Sequence, residues 1–149
     1  MHRILVLHGP NLNALGSREP DVYGRGTLTE LNRRLDELAK ELGCALESMQ
    51  TQNEGVMLDA LYGAAGRVSG VLLNAGAFTH TSVALRDAVA ACRVPVVEVH
   101  LSNPAARESF RRRSYLSGAA VAVVQGFGPD SYLLALRGLM GHLERAQIT

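Results

Sequence analysis

Five short apolar runs recur along the chain, and each is followed by a stretch with helical spacing. This alternation restricts the fold more than any other feature. Strand–helix–strand units build a parallel sheet with right-handed crossovers and helices on both faces. The runs fall at residues 4–7, 45–49, 70–73, 94–99 and 119–124. Those at 4–7 and 70–73 are nearly continuous Leu, Val and Ile, the pattern of strands covered on both sides. The first long helix is expected over residues 28–42. Thr27 and Glu30 form a capping box at its start, Leu28, Leu31, Leu35, Leu38 and Leu42 recur at helical spacing, and Gly43 closes it. Further helices are expected over residues 55–65 and 82–91, with a short arginine-rich one over 105–113. The last helix is expected to open at Asp130 or Ser131 and run to residue 143. Five strands in this rhythm predict a three-layer α/β, flavodoxin-like fold with a five-stranded parallel sheet in the order 2-1-3-4-5. The 149 residues suit a single domain spanning 1–149.

Composition narrows the function classes. The charged residues nearly cancel, 15 Lys+Arg against 14 Asp+Glu, giving a net charge of +1. No broad cationic field is available for nucleic acid or a membrane surface. No apolar run approaches the ~20 residues that cross a bilayer. The apolar stretch at the N-terminus is too short for a signal peptide, so a cytoplasmic location is expected. Cys44 and Cys92 are too few for a disulfide framework and read as buried free thiols. Lys40 is the sole lysine and falls on the solvated face of a helix, which argues against Schiff-base chemistry.

Ligands of open parallel sheets bind beyond the carboxyl ends of the strands. That rule gathers His8, Asn11 and Asn13 after strand 1, then Asn74, Thr79, His80 and Thr81 after strand 3. His100, Ser102 and Asn103 follow strand 4. Amides and hydroxyls are poor ligands for a transition metal, so no metal is expected. The glycine-rich loop over residues 11–26 adds Arg18, Glu19, Asp21, Tyr23 and Arg25. A phenol is a poor base at neutral pH, but neighbouring guanidinium groups favour its ionised form. Arg18 and the run Arg111 to Arg113 could supply that charge; the alternative for Tyr23 is a surface anchor pinning the loop. Of the three arginines one is expected to face inward, Arg111, with Arg112 and Arg113 in solvent. Glu98 lies two residues before His100, on the same face of the strand, and could orient its imidazole as a proton donor. The alternative for His100 is a core histidine, for His80 a helix cap, and for Asp87 a surface salt bridge. Gly126-Phe127-Gly128 lacks the downstream strand that a dinucleotide fingerprint needs and reads as a strand-to-helix turn.

The residues at these strand ends resemble the type II 3-dehydroquinate dehydratases over nearly the whole chain. The resemblance rests on Gly9-Pro10-Asn11-Leu12-Asn13 with Leu15-Gly16, and on Arg18-Glu19-Pro20 with Tyr23-Gly24. It continues in Asn74-Ala75-Gly76-Ala77, Thr79-His80-Thr81-Ser82 and Arg86-Asp87. Glu98-Val99-His100, Ser102-Asn103, Arg107 and Phe110-Arg111 complete it. The resemblance implies a single catalytic domain that removes water from 3-dehydroquinate by anti elimination through an enolate, giving 3-dehydroshikimate in the shikimate pathway. It implies that Tyr23 is the base, that Arg18 stabilises the tyrosinate, that Asn11 holds a water at the enolate oxygen, and that His100 protonates the leaving hydroxyl. Asn74, His80, Asp87, Leu101, Ser102 and Arg111 would bind substrate, with Glu98 orienting His100. It implies no cofactor, and a dodecamer built from trimers in which Asp87 reaches a neighbouring site. Two departures stand out. Thr51-Gln52-Asn53-Glu54-Gly55 replaces a frequent Ser-Asn-His-Glu-Gly, and Ser131 replaces a frequent glycine. The competing readings are a non-catalytic flavodoxin-like phosphate or nucleotide-binding module, disfavoured by the lack of a phosphate loop, and a structural subunit of a larger assembly.

Overall fold

A computed structural model describes residues 1–23 and 26–148. Gly24 and Arg25, which the sequence places in the first loop, lie outside the described residues. Alternation along the strands explains the layering. In β1 (Arg3–His8), Ile4 and Val6 point to one face of the sheet and Leu5 and Leu7 to the other, and all four are buried. The strands β2 (Ala45–Gln50), β3 (Gly70–Asn74), β4 (Val96–His100) and β5 (Ala122–Gln125) complete a fully parallel sheet in the order β2-β1-β3-β4-β5.

One face is covered by α2 (Leu28–Leu42) and α5 (Asp130–Ile148), through Leu31, Leu35, Tyr132, Leu136 and Leu139. The other is covered by α3 (Glu54–Tyr62) and α4 (Val83–Ala91), through Met57, Leu61, Leu85 and Val89. The start of α2 follows its capping box: the Thr27 hydroxyl accepts from the Glu30 N–H at 3.2 Å, and Gly43 closes the helix at φ 72°. Gly9 joins the ends of β1 and β3, its N–H donating to the Asn74 carbonyl at 2.7 Å. A Cβ there would stand 2.7 to 2.8 Å from backbone atoms of Asn74 and Ala75, so only glycine allows this approach.

Several expected boundaries shift. The arginine-rich segment is not one helix but two single 3-10 turns, Pro104–Ala106 and Ser109–Arg111. Arg107 and Glu108 between them are extended, which ends the first turn and starts the second. The loop after β1 carries a 3-10 turn at Leu12–Ala14 and a short helix, α1 (Pro20–Tyr23). The last helix continues past residue 143 to Ile148, and α3 ends before residue 65, at Gly63. Cys44 is buried but Cys92 only half-buried, and both are free thiols. Among the described residues no helix is long and apolar enough to cross a membrane.

Candidate active site

A cleft opens beyond the carboxyl ends of β1, β3 and β4. The loop after β1 contributes Asn11, Arg18 and Tyr23 to its wall. Asn74 and His80 come from the end of β3 and the turn behind it, His100 from the end of β4, and Leu101 and Ser102 from the residues that follow it. Arg107 and Arg111 close the remaining side from the two 3-10 turns.

Asn11 holds a left-handed backbone, φ 70°, a conformation asparagine tolerates. Its N–H donates to Gln52 Oε1 at 2.7 Å, and Gln50 Nε2 bridges the Gly9 carbonyl and Gln52 Oε1. Gln50 and Gln52 thus brace this loop, while Asn53 caps α3 through the Val56 N–H.

The electrostatics are organised around two groups. The Tyr23 hydroxyl accepts from Arg107 Nη1 at 2.7 Å. The Arg107 and Arg18 guanidinium carbons lie 5.1 and 5.4 Å from the centre of its ring. Arg107 is the better shielded cation, with 14% of its side chain exposed against 41% for Arg18, and Glu19 pairs with both. Shielding from water strengthens such an interaction. The Arg107 contact was not legible beforehand, because it depends on the break between the two turns.

The second group is the buried pair Glu98 and His100, joined at 2.5 Å between Oε2 and Nε2. Ser114 and Ser117 also donate to the Glu98 carboxylate, at 3.0 and 2.8 Å. Burial opposes the ionised form of Glu98, but the hydrogen bonds and the charge attraction of His100, with the two serines, outweigh it. Its carboxyl is held below the usual glutamate value. The His80 ring lies nearly parallel to that of His100, 6.5 Å between centres, with His80 Nδ1 donating to the Arg113 carbonyl at 2.7 Å.

Arg111 faces the cleft, held by Glu108 at 3.0 Å, whereas Arg112 and Arg113 are exposed. Asp87 is exposed on α4 and does not line the cleft. Asn13 and Thr81 of the expected rim are exposed, and three further members lie outside the cleft lining. His8 is buried beneath the sheet end, Thr79 is buried in the turn after β3, and Asn103 caps the Pro104 turn through the Ala105 N–H. Lys40 is exposed on α2. The turn at Gly126 and Gly128 joins β5 to α5, with φ of 100° and 60°, and the Gly128 N–H is taken by the Leu101 carbonyl. Ser131 accepts the Phe127 N–H at 2.9 Å and so steadies that turn.

The family model for dehydroquinase class II matches residues 2–140. The chain belongs to the class II dehydroquinase family. A 3-dehydroquinate dehydratase of Geotalea daltonii is 52% identical over 143 residues, covering 96% of this chain and 99% of its own length. Another, from a Nostoc species, is 55% identical over 95% of this chain and 96% of its own. The crystal structure of type II dehydroquinase from Propionibacterium acnes superposes with a TM-score of 0.91 at 41% identity, covering 95% of this chain and 97% of that one. Membership in this family agrees with the flavodoxin-like order of the sheet.

Proposed function

We propose that the chain is a hydro-lyase that converts 3-dehydroquinate to 3-dehydroshikimate and water, a step of the shikimate pathway towards chorismate and the aromatic amino acids. The observation that carries this reading is the match to full-length 3-dehydroquinate dehydratases at 52% and 55% identity. The cleft supplies the groups that an elimination through an enolate requires: a base, a partner for the developing oxyanion, and a general acid.

In the proposed route the ionised Tyr23 oxygen takes a proton from C2. The electron pair of that bond delocalises onto the ketone oxygen as an enolate. The Arg107 hydrogen bond to the Tyr23 oxygen strengthens when its acceptor is negative, and Arg18 lies over the same ring. Asn11 holds a water against the enolate oxygen. As the enolate collapses, C1–C2 becomes a double bond and the C1–O bond breaks, anti to the proton that was lost. His100 delivers the proton that turns the departing hydroxyl into water. Glu98, bonded to Nε2, leaves Nδ1 for this transfer and balances the positive charge of the protonated ring. Asn74, His80, Leu101, Ser102 and Arg111 bind the ring, with Arg111 suited to its carboxylate. No step in this route calls for a metal or a cofactor.

The reading extends to assembly and location. Asp87 on α4 is exposed and outside its own cleft, which supports a site completed by a neighbouring subunit in a dodecamer of trimers. Light scattering on the purified protein measures that mass. Residues 1–149 act as one catalytic domain in the cytoplasm, neither nucleic acid nor membrane serving as a partner. The direct test of function is to mix purified protein, a chelator and 3-dehydroquinate and follow the ultraviolet absorbance of the conjugated enone. A protein-dependent rise is expected. A flat trace with substrate of proven quality refutes the assignment.

A further inference from the structure

Beneath the cleft lies a buried group of polar side chains of which the proposed route uses only Asn74. His8 and Asn74 end adjacent strands, are paired in register, and point to the same face of the sheet. There they meet Tyr132 of α5, a fully buried residue whose hydroxyl lies 2.9 Å from His8 Nδ1. His8 Nε2 lies 2.9 Å from Asn32 Oδ1 on α2. Asn74 Oδ1 accepts the Gly76 N–H at 3.1 Å, and the Asn74 amide lies next to the Tyr132 hydroxyl, favouring its ionised form.

The polarity of every link follows from its ends. Asn32 Oδ1 can only accept, so His8 carries its proton on Nε2. His8 Nδ1 is then an acceptor and takes the Tyr132 O–H. With its hydrogen committed, the Tyr132 oxygen is left as an acceptor beside the Asn74 amide. Asn74 Oδ1 is already engaged by Gly76. One amide hydrogen of Asn74 remains, and Asn74 lines the cleft. Burial keeps the ring of His8 neutral, pulling its pKa to about 4 against the opposing hydrogen bond to Asn32. It also pushes the Tyr132 phenol above its ordinary value, against the opposing influence of the Asn74 amide. Both groups thus hold the protonation states the chain requires.

We propose that His8 and Tyr132 are positioning residues that fix the Asn74 amide with its N–H edge towards the cleft, so that Asn74 donates to an acceptor oxygen of the bound ring. This rests on the reading of the cleft as the dehydroquinate site. Without the Tyr132 acceptor, the amide is held only by Gly76 and can turn its oxygen to the substrate, replacing an attraction with a repulsion between acceptors.

The test is steady-state kinetics on Tyr132→Phe, His8→Leu, His8→Asn, Asn74→Ala and the Tyr132→Phe/Asn74→Ala pair, with thermal unfolding of each. Tyr132→Phe and His8→Leu are expected to raise KM about 5- to 30-fold, with kcat within about 3-fold. His8→Asn restores an acceptor at the Nδ1 position and should bring KM back towards the starting value. The double variant should be no worse than Asn74→Ala alone, because Tyr132 acts through Asn74. Additive losses, or a fall in kcat at unchanged KM that tracks thermal unfolding, overturn the proposal. A wild-type protein without turnover removes the functional reading instead. The chain itself is still judged by nitrogen-15 spectra of the His8 ring. A proton on Nε2 at neutral pH is expected, and the opposite tautomer overturns the proposed polarity whatever the activity.

Discussion

Between Tyr132 and Asn32 the ring of His8 has no contact with water, and its pKa falls from the ordinary 6.5 to about 4. The unfolded chain protonates its imidazole near pH 6.5, whereas the folded protein resists until about pH 4. In that window the unfolded state binds more protons, so stability rises with pH and is lost on acidification. Above pH 6.5 both states are neutral and His8 contributes no slope. Over the whole window the loss is roughly 3 kcal/mol, and between pH 7.5 and pH 5 it is about 2 kcal/mol. The assay is urea unfolding followed by circular dichroism at both pH values, for the wild type and His8→Asn at one protein concentration. The variant has no titrating ring at this position, and all other ionisable groups are shared. The wild type should lose about 2 kcal/mol more than the variant on moving to pH 5. Equal losses would show that His8 is not held neutral by burial, and the protonation states assigned to the Asn74 chain would fall with it.

Other perturbations probe the cleft. His100→Ala should lower kcat about 10²- to 10⁴-fold, as for loss of a general acid, and Glu98→Gln should also lower it while leaving the fold intact by circular dichroism. Arg107→Leu removes the hydrogen bond and the best-shielded charge at the Tyr23 oxygen. Its kcat should fall about 10-fold or more, and an unchanged kcat would move the task to Arg18 alone. Gly9→Ala places a methyl group against the backbone of Asn74 and Ala75. Chemical unfolding should show a loss of about 1–3 kcal/mol or more, and a neutral result would contradict the close approach of the strand ends.

Much of the fold was legible because its determinants are local. The apolar runs, the capping box at Thr27 and Glu30, and Gly43 each act within a few residues, and they located β1 to β4 and α2 closely. The pairing of Glu98 with His100 was legible for the same reason, since residues two apart on a strand share a face. What the sequence hid depends on distant partners. Ser114 and Ser117 reach Glu98 from the loop before β5, and nothing in their own neighbourhood marks them. Arg107 touches Tyr23 only because the segment expected as a helix breaks into two turns around Pro104 and Glu108. His8 looked like a rim residue by position alone. The parity of β1 turns it instead towards Tyr132, 124 residues away in sequence.

The central claim is that the oxygen of Tyr23 removes the C2 proton. Single-turnover measurement of Tyr23→Phe with 3-dehydroquinate, alongside calorimetric binding of a non-reacting ring carboxylate, isolates that step. The expected result is a fall in the chemical rate of at least about 10²–10⁴-fold with the affinity for the inhibitor nearly unchanged. A rate within a few-fold of the wild type would contradict the claim and place the base elsewhere in the cleft.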